Sequence, residues 1–288
     1  MYPNKKRQHH VWRYYLESWA NNEQIFCKQP DKIFATNLIN IAVENDFYEL
    51  KRLTDIEKKH LEYFISKIKP ELLTLDNFII NSLLSIINLK EKNNINKNTD
   101  ILMKNFEENI NSEIEKNSIR YIDLLRNSNI RFFENETERF EFIIFISAQH
   151  FRTKKFKEIY TSLFNNTKYG NSGNLVNIIR LIFTFNFAYN LIEKNYKLQL
   201  LINENEYLFL TGDQPVINLV GDGKNPTTET ILYYPITPRI AIKLLCSDKY
   251  EKDIILIDNE ILKYLNRKIT ENSFFQIFSN DEKSFQYI

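Results

Sequence analysis

A chain of 288 residues with 43% apolar and 26% charged side chains has ordinary globular composition, which excludes wholesale disorder. Thirty-eight basic against 37 acidic residues leave a net charge of +1, so a broad duplex-binding basic surface is not expected, although a local basic groove is allowed. No run approaches the roughly 18–20 consecutive apolar residues that span a bilayer.

Length alone allows one large domain or two small ones, about 1.9 by the usual prior. Lys5-Lys6-Arg7 leads straight into His9-His10-Val11-Trp12-Arg13, with no signal-peptide apolar segment. Cys27 and Cys246 support neither a disulfide framework nor a four-thiolate metal site, so a reducing cytoplasm is the expected setting. Ile, Asn and Lys, all with A/T-rich codons, are abundant, which points to a low-GC genome and discounts any single Asn or Lys as a signal. The scarce types weigh more: 4 His, 5 Gly, 7 Pro and 2 Trp, with His9, His10, Trp12 and Trp19 clustered at the start.

Residues 8–50 read as an entry module. Trp12, Tyr15, Leu16 and Trp19 fall at helical spacing within Val11–Ala20. Gln24–Lys28 and Lys32–Thr36 flank Gln29-Pro30-Asp31 as strand, turn and strand. From Thr54 to about Lys197 the pattern is helical. Thr54-Asp55-Ile56-Glu57 has the form of a capping box. Pro70-Glu71 opens the next helix, with an apolar stripe of Leu72, Leu75, Ile79, Leu83 and Ile86 or Ile87. Lys90–Thr99 reads as a polar connector, followed by helices over 100–127 and 135–165. After Gly170-Asn171-Ser172-Gly173 comes a last long helix over 174–195. Short strands are then expected at Tyr207–Thr211, Val216–Val220, Ile231–Tyr234, Arg239–Leu245, Asp253–Ile257 and Phe274–Phe278, with a helix over Asn259–Thr270. The expected fold is α+β in one domain: a helical middle, about 54–197, packed against a β-sheet built from the N-terminal and C-terminal segments.

Five places carry candidate chemistry. His9-His10, beside Lys5, Lys6, Arg7 and Arg13, can supply a general base, a phosphate contact or a metal ligand, or simply orient the following helix. Glu44 and Asp46, ahead of Phe47-Tyr48, are either part of an oxygen-ligand set for a divalent ion such as Mg²⁺ or Mn²⁺, or ordinary turn residues. In Phe140–Phe151, His150 shares a face with Ile146 and Ile143 and is expected to point inward. Gln149 and Arg152 share an adjacent face, and Arg152 on so apolar a helix needs an anionic partner: a substrate phosphate, or Glu44, Asp46 or Asp213. Thr211-Gly212-Asp213-Gln214-Pro215 either presents a carboxylate at a sheet edge or forms an Asp-stabilised turn. Tyr234-Pro235-Ile236-Thr237-Pro238-Arg239 is a rigid corner whose expected role is shape. The chain has no Walker loop, GxGxxG, GxSxG, HExxH or paired CxxC. Asp213 with Lys243 weakly resembles the acid, spacer and strand-lysine layout of restriction-like nucleases, but Ala241 stands where the second acid belongs.

Taken in order, these blocks resemble the bacterial domain-of-unknown-function family 4238 over essentially the whole chain. The blocks are His9 to Leu16, Glu44 with Asp46-Phe47-Tyr48, Gln149 to Thr153, Thr211 to Val216 and the corner Pro235 to Pro238. One departure is Gly212, where the family pattern has Ser, which removes a hydroxyl beside Asp213. The resemblance implies a shared fold and a site assembled at its centre, and by analogy a conflict-associated gene with a defence or toxin role. It supplies no activity.

Two functional expectations follow. In the first the protein is a nuclease or phosphodiesterase acting on RNA, single-stranded nucleic acid or nucleotides. There His10, His150 and Asp213 are catalytic, Gln149, Arg152, His9 and Arg13 bind substrate, and Glu44 and Asp46 hold any metal ion. In the second the same cluster binds a phosphorylated ligand without turnover. No membrane partner is expected, and a protein partner from a neighbouring gene is left open.

Overall fold

The computed structural model describes residues 5–92, 97–170, 172–220 and 229–287. The chain begins with β1 (Arg7–His9), α1 (Arg13–Leu16) and the hairpin β2 (Gln24–Gln29) and β3 (Lys32–Asn37), closed by the two-residue turn Pro30-Asp31. After β4 (Val43–Asn45) come the helices α2 (Asp55–Ile65), α3 (Leu73–Lys92), α4 (Lys97–Arg126), α5 (Glu136–Phe151), α6 (Lys154–Asn165) and α7 (Val176–Glu193). The C-terminal part holds β5 (Lys197–Ile202), β6 (Thr211–Gly212), β7 (Ile217–Asn218), β8 (Leu232–Pro235), β9 (Ile240–Leu245), β10 (Ile254–Leu256), α8 (Asn259–Asn272) and β11 (Ile277–Ser279).

Capping chemistry sets four of the eight helix starts among the described residues. Thr54 and Glu57 form a full capping box on α2, and Asn135, Thr153 and Asp258 each accept a backbone N–H from the first turn of α5, α6 and α8.

The α+β expectation holds, with a sheet that joins the chain ends. Its order is β3-β2-β11-β6: the N-terminal hairpin pairs antiparallel with β11, which pairs in turn with β6. Two further sheets accompany it. One is a small β1–β4 ladder; the other is a five-stranded sheet, β10-β5-β9-β8-β7, made wholly of C-terminal strands. In that sheet β10 runs parallel to β5 and the remaining pairs are antiparallel.

One hydrophobic core unites Val11, Trp12, Tyr15 and Trp19 with α5 (Phe142, Ile143, Phe145, Ile146) and the five-stranded sheet. A second lies among α2, α3, α6 and the first half of α7. Helix α7 reaches both, since Ile178 to Ile182 belong to the second core and Ala188 and Leu191 to the first.

Four local expectations need correction. The helix expected over 135–165 is two helices, because Thr153 turns extended (φ −81°, ψ 160°) to cap α6. The connector expected at 90–99 shrinks: α3 runs to Lys92 and helix resumes at Lys97, with 93–96 outside the described residues. The α3 stripe rotates. Leu75 is 40% exposed, while Asp76, Ile80, Leu83 and Ile87 face inward, Asp76 accepting a bond from Asn186 Nδ2 at 2.9 Å. Strands β1, β4 and β5 were not expected, and Tyr207–Leu210 lies outside any strand.

Two stretches, Pro70–Asn88 and Gly173–Glu193, are long and apolar enough to cross a membrane by length and composition. Consecutive-run counting passes over them because isolated polar residues interrupt each. In the second, one of those residues, Arg180, forms an ion pair inside the fold.

Candidate functional site

Arg152 is the hub of the interior. It ends α5, is 3% exposed, and each of its nitrogens donates to an internal acceptor. Nε reaches Tyr48 Oη at 3.0 Å, Nη2 the His9 carbonyl at 2.6 Å, and Nη1 the Glu115 carboxylate. Tyr48 also donates its hydroxyl to the His9 carbonyl at 3.1 Å, and its N–H goes to Gln8 Oε1 at 2.8 Å. The anionic partner is therefore Glu115 on α4, not Glu44, Asp46 or Asp213. Next to it, burial pushes the Glu108 carboxyl up to about 7. Gln149 is fully buried, and neither of its side-chain polar atoms has a partner among the described residues.

The second knot joins the α5–α6 junction to Thr211–Val216. The Thr153 hydroxyl bonds Gln214 Oε1, and Gln214 Nε2 donates to the carbonyls of His150 (3.0 Å) and Val216 (2.8 Å). His150 Nδ1 lies 2.9 Å from that same Val216 carbonyl. A carbonyl only accepts, so Nδ1 carries the proton. Burial lowers the pKa of this half-buried ring, favouring its neutral form. Tyr15 Oη donates to Pro235 O at 2.6 Å and takes the Thr211 hydroxyl at 2.6 Å, fastening the proline corner to β6. Arg239, beyond the corner, donates to the carbonyls of Asn203 and Asn205. Asp213 lies just past β6, and Lys243 is on β9 of the other sheet, so a restriction-like layout is not assembled.

Asp213 is a turn anchor. It is 2% exposed, and its carboxylate accepts the main-chain N–H groups of Phe274, Phe275 and Gln276 at 2.7, 2.8 and 2.9 Å. Burial raises its pKa, opposed by these three donors and by Lys155. Gly212 has a steric reason: a Cβ there would come within 2.1 Å of Ser273 Oγ and 2.9 Å of the Gln276 carbonyl. The hydroxyl missing at 212 is thus replaced in space by that of Ser273.

Around this turn lies a cleft of about 310 Å³. His10, Glu44, Lys154 and Asp213 line it, with Phe274, Phe275 and Gln276. The His10 imidazole is 4% exposed, lies 5.3 Å from the Phe47 ring, and has no hydrogen-bond partner on Nδ1 among the described residues. Burial, then Arg152 and Lys154, lowers its pKa to about 3. Lys154 Nζ sits 3.3 Å from Glu44 Oε1. Phe274 and Phe275 are 45% and 50% exposed, an aromatic pair at the solvent edge.

The structure therefore brings His10, Glu44 and Asp213 to one cleft. The other singled-out residues lie elsewhere. His9 gives its carbonyl to Arg152, its Nε2 has no partner among the described residues, and burial and nearby arginines lower its pKa to about 4. Arg13 pairs with Glu23 at 2.6 Å on the surface. Asp46 lines a separate cleft of about 680 Å³: residues two apart in an extended strand would share a face, but β4 ends at Asn45 and the left-handed backbone of Asp46 (φ +51°) breaks the alternation. Glu44 and Asp46 do not converge, and among the described residues no group of three or more His, Cys, Asp and Glu is placed to hold a metal ion. A larger concavity of about 900 Å³, beside Ile130, Lys197 and Tyr250, contains none of these residues. Lys154, Phe274 and Phe275 were missed in the sequence. Lysine is too common here to signal anything, and a Phe-Phe pair at a strand start reads as core.

These features define an α+β protein whose five sequence blocks are bonded into one interior network beside a small polar cleft with an aromatic rim. The chain belongs to the family described as protein of unknown function (DUF4238), whose model matches residues 7–283. No curated protein and no solved structure matches it.

Proposed function

We propose that the His10 cleft engages a nucleotide or single-stranded nucleic acid and hydrolyses a phosphodiester bond, in a cytoplasmic defence or toxin setting. The observation that carries this reading is the enclosed, unpartnered imidazole of His10 beside a lysine and an exposed aromatic pair. Each group has a task. Phe274 and Phe275 offer π-faces to a base, a contact that tolerates any sequence and suits single strands. Lys154 is the cation available to a phosphate, since Arg152 is consumed internally. His10 is the general base. Its low pKa belongs to an empty cleft; an anionic phosphate beside it favours the protonated ring and moves the pKa back towards the range where acid–base catalysis is effective. Asp213 positions the 274–276 turn.

The internal engagement of Arg152, His150 and Asp213 favours a second reading, binding of a phosphorylated ligand without turnover. End-labelled RNA, single-stranded DNA and duplex DNA, each incubated with Mg²⁺, Mn²⁺ or EDTA, separate the two. The expected result is cleavage of a single-stranded substrate by the wild type, lost in His10→Gln and reduced in Lys154→Gln, with circular dichroism unchanged. Cleavage that survives His10→Gln removes His10 from the mechanism. Retention of oligonucleotide without cleavage transfers the cleft to the binding reading.

A further inference from the structure

Six non-glycine residues hold a positive φ among the described residues, and five of them are exposed or half-exposed. Ala42 is the exception: φ +48°, 3% exposed, in the wall of the His10 cleft. A left-handed backbone crowds the Cβ against the following carbonyl, and alanine has no polar side chain to offset the clash. Such a conformation persists only where the surrounding structure fixes it.

Ala42 is fixed on both sides. Its carbonyl accepts the His10 N–H at 2.9 Å, one step beyond the last rung of the β1–β4 ladder, where His9 stands opposite Val43. Its N–H donates to Gln276 Oε1 at 3.2 Å, across 234 positions of chain. Gln276 is held in turn by Asp213, whose Oδ2 accepts the Gln276 N–H at 2.9 Å and whose own N–H donates to the Gln276 carbonyl at 2.9 Å. Asp213, Gln276, Ala42 and His10 thus form one chain of hydrogen bonds, and all four line the cleft. The bond from Ala42 does not depend on which way the amide is drawn, because an N–H only donates and so selects the amide oxygen. Without that oxygen the Ala42 N–H becomes a buried donor lacking its partner, and the left-handed backbone loses its anchor.

We propose that Gln276 is a positioning residue for His10: by accepting the Ala42 N–H it holds Ala42 left-handed, and the Ala42 carbonyl then holds the His10 main chain so that the imidazole stays enclosed in the cleft. This deepens, and rests on, the reading of the His10 cleft given above, although its test does not require turnover. It also links the buried Asp213 carboxylate to His10 through two intervening residues.

The test follows the His10 ring and main chain by NMR in the full-length protein, the ring signal being identified by its loss in His10→Gln. In the wild type, burial, followed by the charges of Arg152, Lys154, His9 and Lys157, lowers the ring's pKa to about 3, while Glu44 and Asp213 are the acids of the same cleft. Gln276→Met keeps the side-chain length and removes the acceptor. Its His10 ring is expected to titrate near the ordinary value of about 6.5. The His10 and Ala42 amides are expected to lose protection from hydrogen exchange. Pairing of β11 with β2 and β6 uses main-chain bonds and is retained. Gln276→Glu keeps an oxygen for Ala42 and restores amide protection. Where cleavage is measured, Gln276→Met lowers kcat more than it raises KM, by up to about a hundredfold. Gln276→Asn, whose shorter amide falls short of Ala42, is expected to shift the ring the same way and serves if Gln276→Met does not fold. A lowered melting temperature with an unchanged ring titration and unchanged amide protection overturns the proposal, leaving Gln276 a residue of the fold alone. The expected ring shift in a protein that cleaves nothing supports the positioning and counts only against the hydrolytic reading.

Discussion

At the scale of single residues, the interior is organised by arginines with carboxylate partners. Arg152 needs an anion because nothing else offsets the cost of burying its charge, and Glu115 supplies it from a helix whose sequence gives no hint of the pairing. Arg180 is the clearer test. Its Nε and Nη2 bond Glu107 at 2.6 and 2.7 Å, and both residues are 1% exposed. Glu107→Ala leaves a guanidinium buried without its counterion and is expected to cost about 3–5 kcal/mol in denaturant titration. Replacing both partners with apolar residues, Glu107→Leu with Arg180→Met, is expected to recover most of that loss. A double variant no more stable than Glu107→Ala shows that the pair's hydrogen bonds, rather than charge burial, dominate.

At the scale of elements, the break between α5 and α6 places the chemistry. An uninterrupted helix over 135–165 could not turn Arg152 inward to Glu115 and also set Lys154 at the start of a new helix facing His10. Thr153 makes the break by accepting the Phe156 N–H while its hydroxyl meets Gln214. Thr153→Ala loses a cap, about 1–2 kcal/mol, and leaves the buried Gln214 Oε1 unpaired, about 1–3 kcal/mol more. Thr54→Ala, which loses the capping-box hydroxyl without disturbing Gln214, is expected to cost nearer 1 kcal/mol. Equal losses in the two variants contradict a bridging role for Thr153. Gly212 belongs to the same scale, because the close approach of Ser273 is a property of how β6 and the 274–276 turn meet.

At the scale of the whole molecule, stability should depend on pH through groups that fold into unlike surroundings. His9 and His10 have folded pKa values lowered to about 4 and 3, chiefly by burial, and that of His150 is lowered too. The unfolded chain therefore takes up protons first as pH falls below about 6.5, and the stability these rings contribute is present above that value and lost beneath it. Glu108 opposes them. With a folded pKa near 7, its folded form binds a proton that the unfolded chain does not hold until about 4.5, so its contribution grows as pH falls through that window. The melting temperature is expected to fall from pH 7.5 to 5.5, less steeply in His10→Asn and more steeply in Glu108→Gln. A His10→Asn profile parallel to the wild type shows instead that the ring titrates alike in the folded and unfolded chain.

Much of the architecture was legible in local chemistry. The Thr54–Glu57 box, the hairpin over Pro30-Asp31 and helix α8 follow from short-range rules of capping and turns, which a few adjacent residues satisfy alone. The α+β class also followed, as did the pairing of the two chain ends, since the N-terminal hairpin leaves an open edge on β2 that the C-terminal β11 completes. The family resemblance rested on five blocks, and those blocks are bonded together in space. What the tertiary structure alone decided was which polar residues face each other. His10 and Asp213 share a cleft across 203 positions of chain, whereas Glu44 and Asp46, only two apart, are turned into different clefts. Arg152 found its carboxylate on α4, and Phe274 and Phe275 came out as a rim rather than core. The physical reason is that a side chain's charge, burial and hydrogen-bond partners are set by whatever the fold packs against it, and in this chain those partners come from distant segments. Spacing along the chain reveals a residue's own preferences, but not the group that will answer them.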